Sequence, residues 1–291
     1  MNNLPTLVKV PPFLIRDLKD VDLTFLKKIK LIILGKFLGL IVKITKEQFF
    51  CKLINIFFKN DGKIIYEDKQ YIKLKDGLKV IHYPNKRILR VVKSLDFQLD
   101  LIIHSYCLDE IKFENNDIVI DCGANVGELH LALNKRNLDL NYYAFEPDEE
   151  TFQSLKLNNP KNIDNLFKLG LSNENKKMNF FLDTEGGNSS IVDFGSKNVV
   201  EIQTTTLDSI QINKKIKLFK VEAEGYEPEV LEGAESTLRF IEYVSVDFGP
   251  ERGENCENTV IQVNNILTKA GFELVKFSNY RVIGLYRNKS L

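Results

Sequence analysis

From Asp117 onward, short apolar segments alternate with segments of helical spacing, and this alternation constrains the fold more than any other feature. Strands separated by helices usually pair in parallel and are covered on both faces. The last two apolar segments, 272–277 and 281–286, are joined by a short turn, which predicts one antiparallel strand. We therefore predict an α/β fold with a mostly parallel sheet.

The individual elements follow from the spacing of apolar residues. Strands are predicted at 117–122, 141–146, 166–171, 178–182, 199–204, 216–222, 241–247 and in the two final segments. Helices are predicted at 128–136, 149–158, 227–238 and 257–270.

The first 94 residues have a different character. Residues 1–60 look mainly helical, and residues 63–92 read as short strands with Asp76-Gly77 at a hairpin turn. We predict an N-terminal helical and β-hairpin extension over 1–94 and one main domain over 95–291.

The most apolar stretch, 24–44, is interrupted by five lysines, which disfavours a transmembrane helix. A cleaved signal peptide is also disfavoured, because three aspartates precede this stretch and no small-residue cleavage site follows.

The first fifty residues hold nine Lys or Arg and four Asp or Glu. Two explanations stay open: a helical extension that packs on the main domain or on a second subunit, or peripheral contact with an anionic membrane surface. The lysines do not share one helical face, which weakens the second. We expect a cytoplasmic protein, with or without membrane association.

Charge and cysteine content exclude two function classes. Lys+Arg and Asp+Glu both total 40, so the basic footprint of a nucleic-acid-binding protein is absent. The four cysteines form no C-x-x-C pair, which disfavours a zinc ribbon or a thioredoxin-like site. Reduced thiols are the simpler expectation.

The first predicted strand of the main domain runs into a glycine-bracketed turn. Asp121 ends the strand, and Gly123 and Gly127 flank the turn into a helix, with Asn125 between them. Ligands in open α/β sheets lie beyond such strand ends. Because the spacing is not G-x-G-x-x-G, a pyrophosphate cradle is less favoured than an amino-acid ligand. Asp121 would face its ammonium, and the turn amides its carboxylate.

The second strand ends at Glu146, and an acid at this position can accept both hydroxyls of an adenosine ribose. The alternative is that Asp121 is a helix N-cap and Glu146 a solvated loop acid. Acids at two corresponding strand ends favour a nucleoside ligand.

Five ordered blocks resemble the FkbM family of S-adenosylmethionine-dependent methyltransferases. They are V-I-D-C-G-A-N-V-G at 119–127, A-F-E-P-D at 144–148, G-N-S-S at 187–190, T-T-L-D at 205–208 and K-V-E-A-E-G-Y-E-P-E-V-L-E-G-A at 220–234. The similarity covers about 95–291. It implies a class I methyltransferase (Rossmann-like) fold with a seven-stranded sheet, and transfer of a methyl group to a hydroxyl of a sugar or another small metabolite.

The resemblance also implies which residues bind S-adenosylmethionine. These are Asp121, Gly123, Ala124, Asn125, Gly127 and Glu146, with adenine contacts near Leu171 and Ser172. The usual Asp of the last block is Glu222 here, which keeps the carboxylate but extends it by one methylene.

A sugar hydroxyl is a weak acid, so its methylation calls for a base or a metal. Glu222 and Glu224 are two residues apart and face the same side if the strand persists. They would hold Mg²⁺ or Mn²⁺, or one would have a raised pKa and act as base. The alternative is that Glu224 caps the helix starting at Tyr226 and Glu222 holds a loop amide.

Three other positions are candidates. Asp247 ends the fifth strand and is a catalytic or substrate-contact candidate. Arg252 would clamp an acidic group of the acceptor or pair with Glu251 or Glu254. Asn188 and Ser189 lie in a Gly-rich segment that would close over the site or form a turn.

Two other functions stay in view: a nicotinamide-dependent oxidoreductase on a similar sheet, and a non-catalytic module that binds S-adenosylmethionine. We also expect that the chain can form a homo-oligomer.

Overall fold

A computed structural model of the chain describes residues 25–58, 61–183, 189–278 and 281–291. Contacts within the chain divide it into two compact units, Met1–Gln98 and Leu99–Leu291. The proposed extension of 1–94 stays a prediction, and its first 24 residues lie outside the described part, as does Asn188.

The first unit pairs two helices with a small antiparallel sheet of order β1-β2-β3. Its elements are α1 (Phe25–Ile44), α2 (Glu47–Phe57), β1 (Lys63–Glu67), β2 (Gln70–Lys75) and β3 (Leu78–Tyr83). The predicted hairpin at Asp76-Gly77 is confirmed, because both residues have positive φ, 50° and 80°, as a tight turn of this kind requires.

Among the described residues, five α-helices lie wholly or partly in the second unit, together with two sheets. The helices are α3 (Leu95–Ser105), which crosses the unit boundary, α4 (Glu128–Asn134), α5 (Glu149–Asn158), α6 (Glu227–Glu232) and α7 (Val260–Lys269). The strands are β4 (Ile118–Cys122), β5 (Asn141–Phe145), β6 (Leu166–Phe167), β7 (Gly170–Leu171), β8 (Lys177–Phe181), β9 (Val199–Thr205), β10 (Ile216–Val221), β11 (Ile241–Asp247), β12 (Phe272–Ser278) and β13 (Ile283–Asn288).

The main sheet has seven strands in the order β6-β5-β4-β10-β11-β13-β12. The first five are parallel, and β13 is antiparallel to both β11 and β12. Every residue of β4 is buried, as expected for a strand covered on both faces. The sheet therefore confirms the mostly parallel, seven-stranded α/β fold with one reversed strand.

The predicted third strand, 166–171, is wrong as a single element. β6 pairs with β5 in the main sheet, whereas β7 joins β9 and β8 in a second sheet. Gly170 packs closely on β9, because a Cβ there would lie 3.1 Å from the side chain of Ile202. The helix predicted at 227–238 is also shorter, since α6 ends at Glu232.

The core of the second unit lies along the central strands. It includes Phe219 and Val221 on β10, Val244 on β11, and Leu231 on α6. All four cysteines lie in the described part and are free thiols. No helix of the described residues is both long enough and apolar enough to cross a membrane.

Candidate functional site

The turn after β4 packs tightly against the end of β10. Gly123 and Gly127 both have positive φ, 70° and 84°. A Cβ on Gly123 would lie 2.0 Å from the carbonyl oxygen of Glu222, so only glycine fits here. The two segments on which the sequence placed the chemistry are therefore neighbours.

The backbone amides of this turn donate within the chain. Gly123 and Ala124 both donate to the carbonyl of Phe145, at 3.1 and 3.0 Å, and Gly127 donates to Ala124 at 2.9 Å. We expected these amides to hold a ligand carboxylate. In the structure, the amides of Gly123 and Ala124 tie the turn to the end of β5, and ligand binding by the turn amides stays a prediction.

Asn125 links the turn to the predicted ribose-binding acid. Its backbone N–H donates to Glu146 Oε2 at 2.9 Å, and its side-chain oxygen accepts from the amide of Val126. Asn125 has a φ of 51°, a conformation that asparagine tolerates better than most residues. These contacts of Asn125 shape the turn.

Glu146 follows β5 directly and is buried. Its Oε1 accepts from the amide of Asp148 at 3.0 Å, and its Oε2 accepts from Asn125. Burial raises the pKa of Glu146 to about 7, although both backbone amides lower it. Each oxygen keeps a free lone pair, so the carboxylate can still accept two hydroxyl groups.

Asp121 faces an ammonium, but this ammonium belongs to the chain. Lys220 Nζ lies 3.0 Å from Asp121 Oδ1, and the hydroxyl of Tyr142 donates to Oδ2 at 2.5 Å. Burial raises the pKa of Asp121, and Lys220 partly offsets this effect. The prediction that Asp121 meets a ligand ammonium directly therefore gains no support from the structure.

Lys220 is the residue that sequence reasoning missed most clearly. It is buried on β10 in register with Asp121 on β4. Its Nζ donates to the carbonyls of Cys122 and Gly123, at 3.0 and 2.9 Å, and lies 3.1 Å from Glu222 Oε2. Burial lowers the pKa of Lys220. Asp121, followed by Tyr106 and Glu222, raises this pKa by more than burial lowers it, so the pKa stays well above its ordinary value.

Glu222 and Asp247 share one guanidinium. Arg281 Nη2 pairs with Glu222 Oε1 and with Asp247 Oδ2, the latter at 2.7 Å. Tyr106 donates to Glu222 Oε2 and accepts from Arg281 at 3.1 Å. The ends of β10 and β11 are thus joined by residues outside every sequence motif.

These contacts give the two acids different proton affinities. Burial raises the pKa of Glu222, but Arg281 and Lys220 more than offset it, and the pKa lies well below its ordinary value. Burial raises the pKa of Asp247 to about 6, and Arg281 lowers it only in part. Glu222 is therefore a fixed anion and a weak base.

Glu224 is separated from Glu222 by local backbone geometry. β10 ends at Val221, and Glu224 has a φ of 51°, so strand alternation does not set where the two carboxylates point. The carboxyl groups of Glu224 and Glu251 affect each other's pKa. Its Oε2 is buried and accepts no hydrogen bond from the described residues. Burial, followed by the charges of Glu251 and Glu222, raises the pKa of Glu224 well above its ordinary value.

The structure gives the predicted Mg²⁺ or Mn²⁺ site at Glu222 and Glu224 no support. The oxygens of Glu222 are taken by Arg281, Tyr106 and Lys220, which are donors or cations. Within the described ranges, no group of three or more His, Cys, Asp or Glu side chains has metal-binding geometry.

Glu227, not Glu224, holds the loop before α6. Glu227 Oε1 accepts from the amides of Ala223 and Gly225, at 2.9 and 3.0 Å, and Oε2 accepts from Thr259 at 3.1 Å. The alternative that Glu224 caps this helix is therefore wrong, because a later glutamate satisfies the loop amides.

Arg252 is engaged by a different acid from those we considered. Its two Nη atoms pair with Glu229 at 2.9 and 2.6 Å, and Nη1 also donates to the carbonyl of Gly225 at 2.7 Å. The predicted pairing with Glu251 or Glu254 is wrong. Contact of Arg252 with an acceptor stays a prediction.

In the G-N-S-S block, the second serine rather than the first reaches the site. Ser189 Oγ accepts from the amide of Asp183 at 2.9 Å, whereas Ser190 Oγ donates to the carbonyl of Glu224 at 2.8 Å. The segment is thereby tied to the loop that carries Glu224.

Leu171, the last residue of β7, and Ser172, which follows it, are both buried. Ser172 Oγ lies 3.5 Å from the hydroxyl of Tyr226, and its backbone amide donates to Thr205. Their contact with an adenine ring stays a prediction.

Comparison with known proteins identifies a family. The profile of the Methyltransferase FkbM domain matches residues 121–274, slightly more than half of the chain. A curated relative, the hexuronic acid methyltransferase AglP of Haloferax volcanii, is 28% identical over 138 residues. The match covers 46% of this chain and 56% of AglP, so the chain spans little more than half the length of that relative.

Two solved structures are also similar. The methyltransferase FkbM from Methylobacillus flagellatus is 17% identical, with a TM-score of 0.44, and the match covers 68% of this chain and 56% of that one. A SAM-dependent methyltransferase from Aquifex aeolicus is 13% identical, with a TM-score of 0.38 and coverages of 66% and 97%. Because both scores are below 0.5, the family assignment rests on the sequence match and the fold on the strand order.

Proposed function

The chain belongs to the FkbM methyltransferase family, and from this premise we propose that it transfers a methyl group from S-adenosylmethionine to a hydroxyl of a small, sugar-containing acceptor. The observation that carries the proposal is the buried Glu146 carboxylate beside a turn bracketed by Gly123 and Gly127. The name of the relative AglP, a hexuronic acid methyltransferase, supports a sugar acceptor.

The residues at the ends of β4 and β5 fit the cofactor at its ribose. Glu146 is held by two backbone amides and keeps one lone pair on each oxygen for a pair of vicinal hydroxyls. Gly123 and Gly127 give the turn its positive φ values and its close packing against Glu222 and Leu155. When bound, S-adenosylmethionine supplies a methyl group activated by its sulfonium.

Asp121 and Lys220 hold the glycine turn of this site in position. The ammonium of Lys220 fixes two carbonyls of the glycine turn and the carboxylate of Asp121. They are positioning residues in this proposal, since they hold the turn in the shape that the ligand meets.

The acceptor hydroxyl needs a base, and Glu224 is the best suited of the three predicted acids. A base is most effective when its pKa lies near the working pH. Glu222 is held ionised by Arg281 and Lys220, which makes it a poor proton acceptor. Glu224 has a raised pKa and a buried oxygen with no hydrogen-bond partner among the described residues.

Asp247 has a positioning role in this scheme. Its Oδ1 accepts from the amide of Gly249 at 2.9 Å, and its Oδ2 accepts from Arg281 at 2.7 Å. It holds Arg281 against Glu222 and keeps the two strand ends together.

Calorimetric titration with S-adenosylhomocysteine tests the cofactor assignment. We expect the unmodified protein to bind it and Glu146→Ala to bind it about 10–100-fold more weakly, because hydrogen bonds to a charged group are lost. Glu150→Ala, an exposed glutamate on α5, is the matched control and should bind normally. Binding of NAD⁺ instead of S-adenosylhomocysteine would favour an oxidoreductase and contradict the proposal.

The same titration should depend on pH. Because burial raises the pKa of Glu146 to about 7, the ionised form that accepts ribose hydroxyls is lost as the pH falls below 7. We expect the affinity for S-adenosylhomocysteine to fall by up to about tenfold per pH unit between pH 7 and pH 5.5, and to level off above pH 8. Glu146→Gln should bind weakly with a flat profile. An unchanged slope in this variant would assign the effect to another group.

A further inference from the structure

Helix α1 exposes an apolar stripe that the other described elements of the first unit leave uncovered. Leu26, Ile33, Leu40 and Ile44 are 77%, 62%, 54% and 67% exposed. At 3.6 residues per turn, these four residues and Phe37 fall on one face about 60° wide. Isolated exposed apolar residues are ordinary, but a continuous stripe along a whole helix indicates an interaction surface.

The stripe continues onto the following helix. The rings of Phe37 and Phe57 meet edge to face, with centroids 5.0 Å apart, and Phe57 is itself exposed. The exposed surface therefore includes aromatic as well as aliphatic side chains, a composition typical of helices that lie at a lipid–water interface.

The helix is held in place from its other side. Leu38 and Ile41 are buried, and the carbonyl of Val42 accepts from Lys86 Nζ at 2.5 Å. With this face fixed, the apolar stripe is the face that α1 presents outward.

The charge of α1 indicates what the stripe contacts. The helix contains five lysines and no acidic residue. Lys36 and Lys43 are exposed and lie beside one edge of the stripe. Lysines that flank an apolar helical face match a surface with anionic headgroups and an apolar interior.

We propose that α1 lies flat on an anionic lipid surface, with Ile33, Phe37 and Leu40 among the headgroups and acyl chains. A second copy of the chain fits this face less well. A two-fold interface places the same surface patch on both subunits, so two lysine-bearing helices would meet with no carboxylate on either. This inference does not depend on the methyl-transfer chemistry.

Sedimentation of the full-length protein with vesicles tests the proposal. We expect binding to vesicles of equimolar phosphatidylcholine and phosphatidylglycerol, and little binding to phosphatidylcholine alone. Ile33→Asp/Leu40→Asp should weaken binding at least about tenfold through loss of the inserted apolar surface. Lys36→Gln/Lys43→Gln should weaken it about 25-fold, since each lysine near an anionic surface contributes about fivefold.

Two controls keep the outcome interpretable. Ile261→Asp changes an equally exposed isoleucine on α7, and Lys214→Gln an exposed lysine in the other unit, so neither should alter vesicle binding. Light scattering of every variant reports the oligomeric state, and circular dichroism reports the fold. Equal binding to both vesicle types would overturn the proposal, as would a dimer that Ile33→Asp/Leu40→Asp converts to a folded monomer.

Discussion

Replacement of Lys220 by methionine is expected to lower the free energy of unfolding by about 3–5 kcal/mol. The side chain is 4% exposed and stands 3.0 and 3.1 Å from the carboxylates of Asp121 and Glu222. Without the ammonium, Asp121 is a buried charge with no cation beside it, and the carbonyls of the glycine turn lose their donor. Urea denaturation at neutral pH measures the change.

A second substitution separates this electrostatic cause from a packing defect. Lys220→Met/Asp121→Asn removes both charges of the pair and should recover about half of the lost stability. Lys214→Met, on an exposed lysine, should change the free energy of unfolding by less than about 0.5 kcal/mol. If Lys220→Met cost no more than this control, the ion pair would not support the site.

Glu224→Gln is expected to lower kcat by about 10²–10⁴-fold, because a positioned base contributes a factor of this size. Affinity for S-adenosylhomocysteine should be unchanged, since the cofactor is assigned to the ends of β4 and β5. Glu235→Gln, an exposed glutamate after α6, is the matched control and should keep full turnover. Unchanged turnover in Glu224→Gln would remove Glu224 as the base.

The pH profile of the Glu251→Gln variant gives an independent readout. In the unmodified enzyme, the acidic limb of kcat should lie above the ordinary range of a glutamate, because burial and then the charge of Glu251 raise the pKa of Glu224. Removal of the negative charge at 251 lowers that pKa, so the limb should move to lower pH. If Glu251 had only a structural role, Glu251→Gln would reduce activity without shifting the acidic limb of the kcat profile.

The sequence predicted the parts of this molecule that depend on local pattern. The ends of β4 and β11 lie where apolar periodicity placed them, and β5 ends one residue earlier than predicted. Asp121, Glu146 and Asp247 lie at or next to these ends, because parallel strands present their carboxyl ends at one edge. The split between β6 and β7 was not predictable from pattern, because a run of apolar residues does not reveal which sheet each part joins.

The electrostatic partners were not predictable for a different reason. Tyr106 contacts Glu222 from 116 positions away, and Lys220 reaches Cys122 from 98 positions away. Such pairs follow from strand order, and once β10 is placed beside β4, Lys220 falls opposite Asp121. The interaction of Glu224 with Glu251 also depends on the positive φ of Glu224, which the residue type does not predict.

The position of Arg281, just before the reversed strand β13, has a consequence for biosynthesis. This residue joins Glu222 and Asp247, yet it is synthesised after every strand of the main sheet except β13. Because chains fold from the N-terminus as they emerge, the parallel strands can associate while two facing carboxylates still lack their shared cation. Completion of the last hairpin is therefore the step that brings this cation to the two carboxylates. A nascent chain stopped before it would carry the turn at Gly123–Gly127 but not the ion pairs of Arg281 with Glu222 and Asp247.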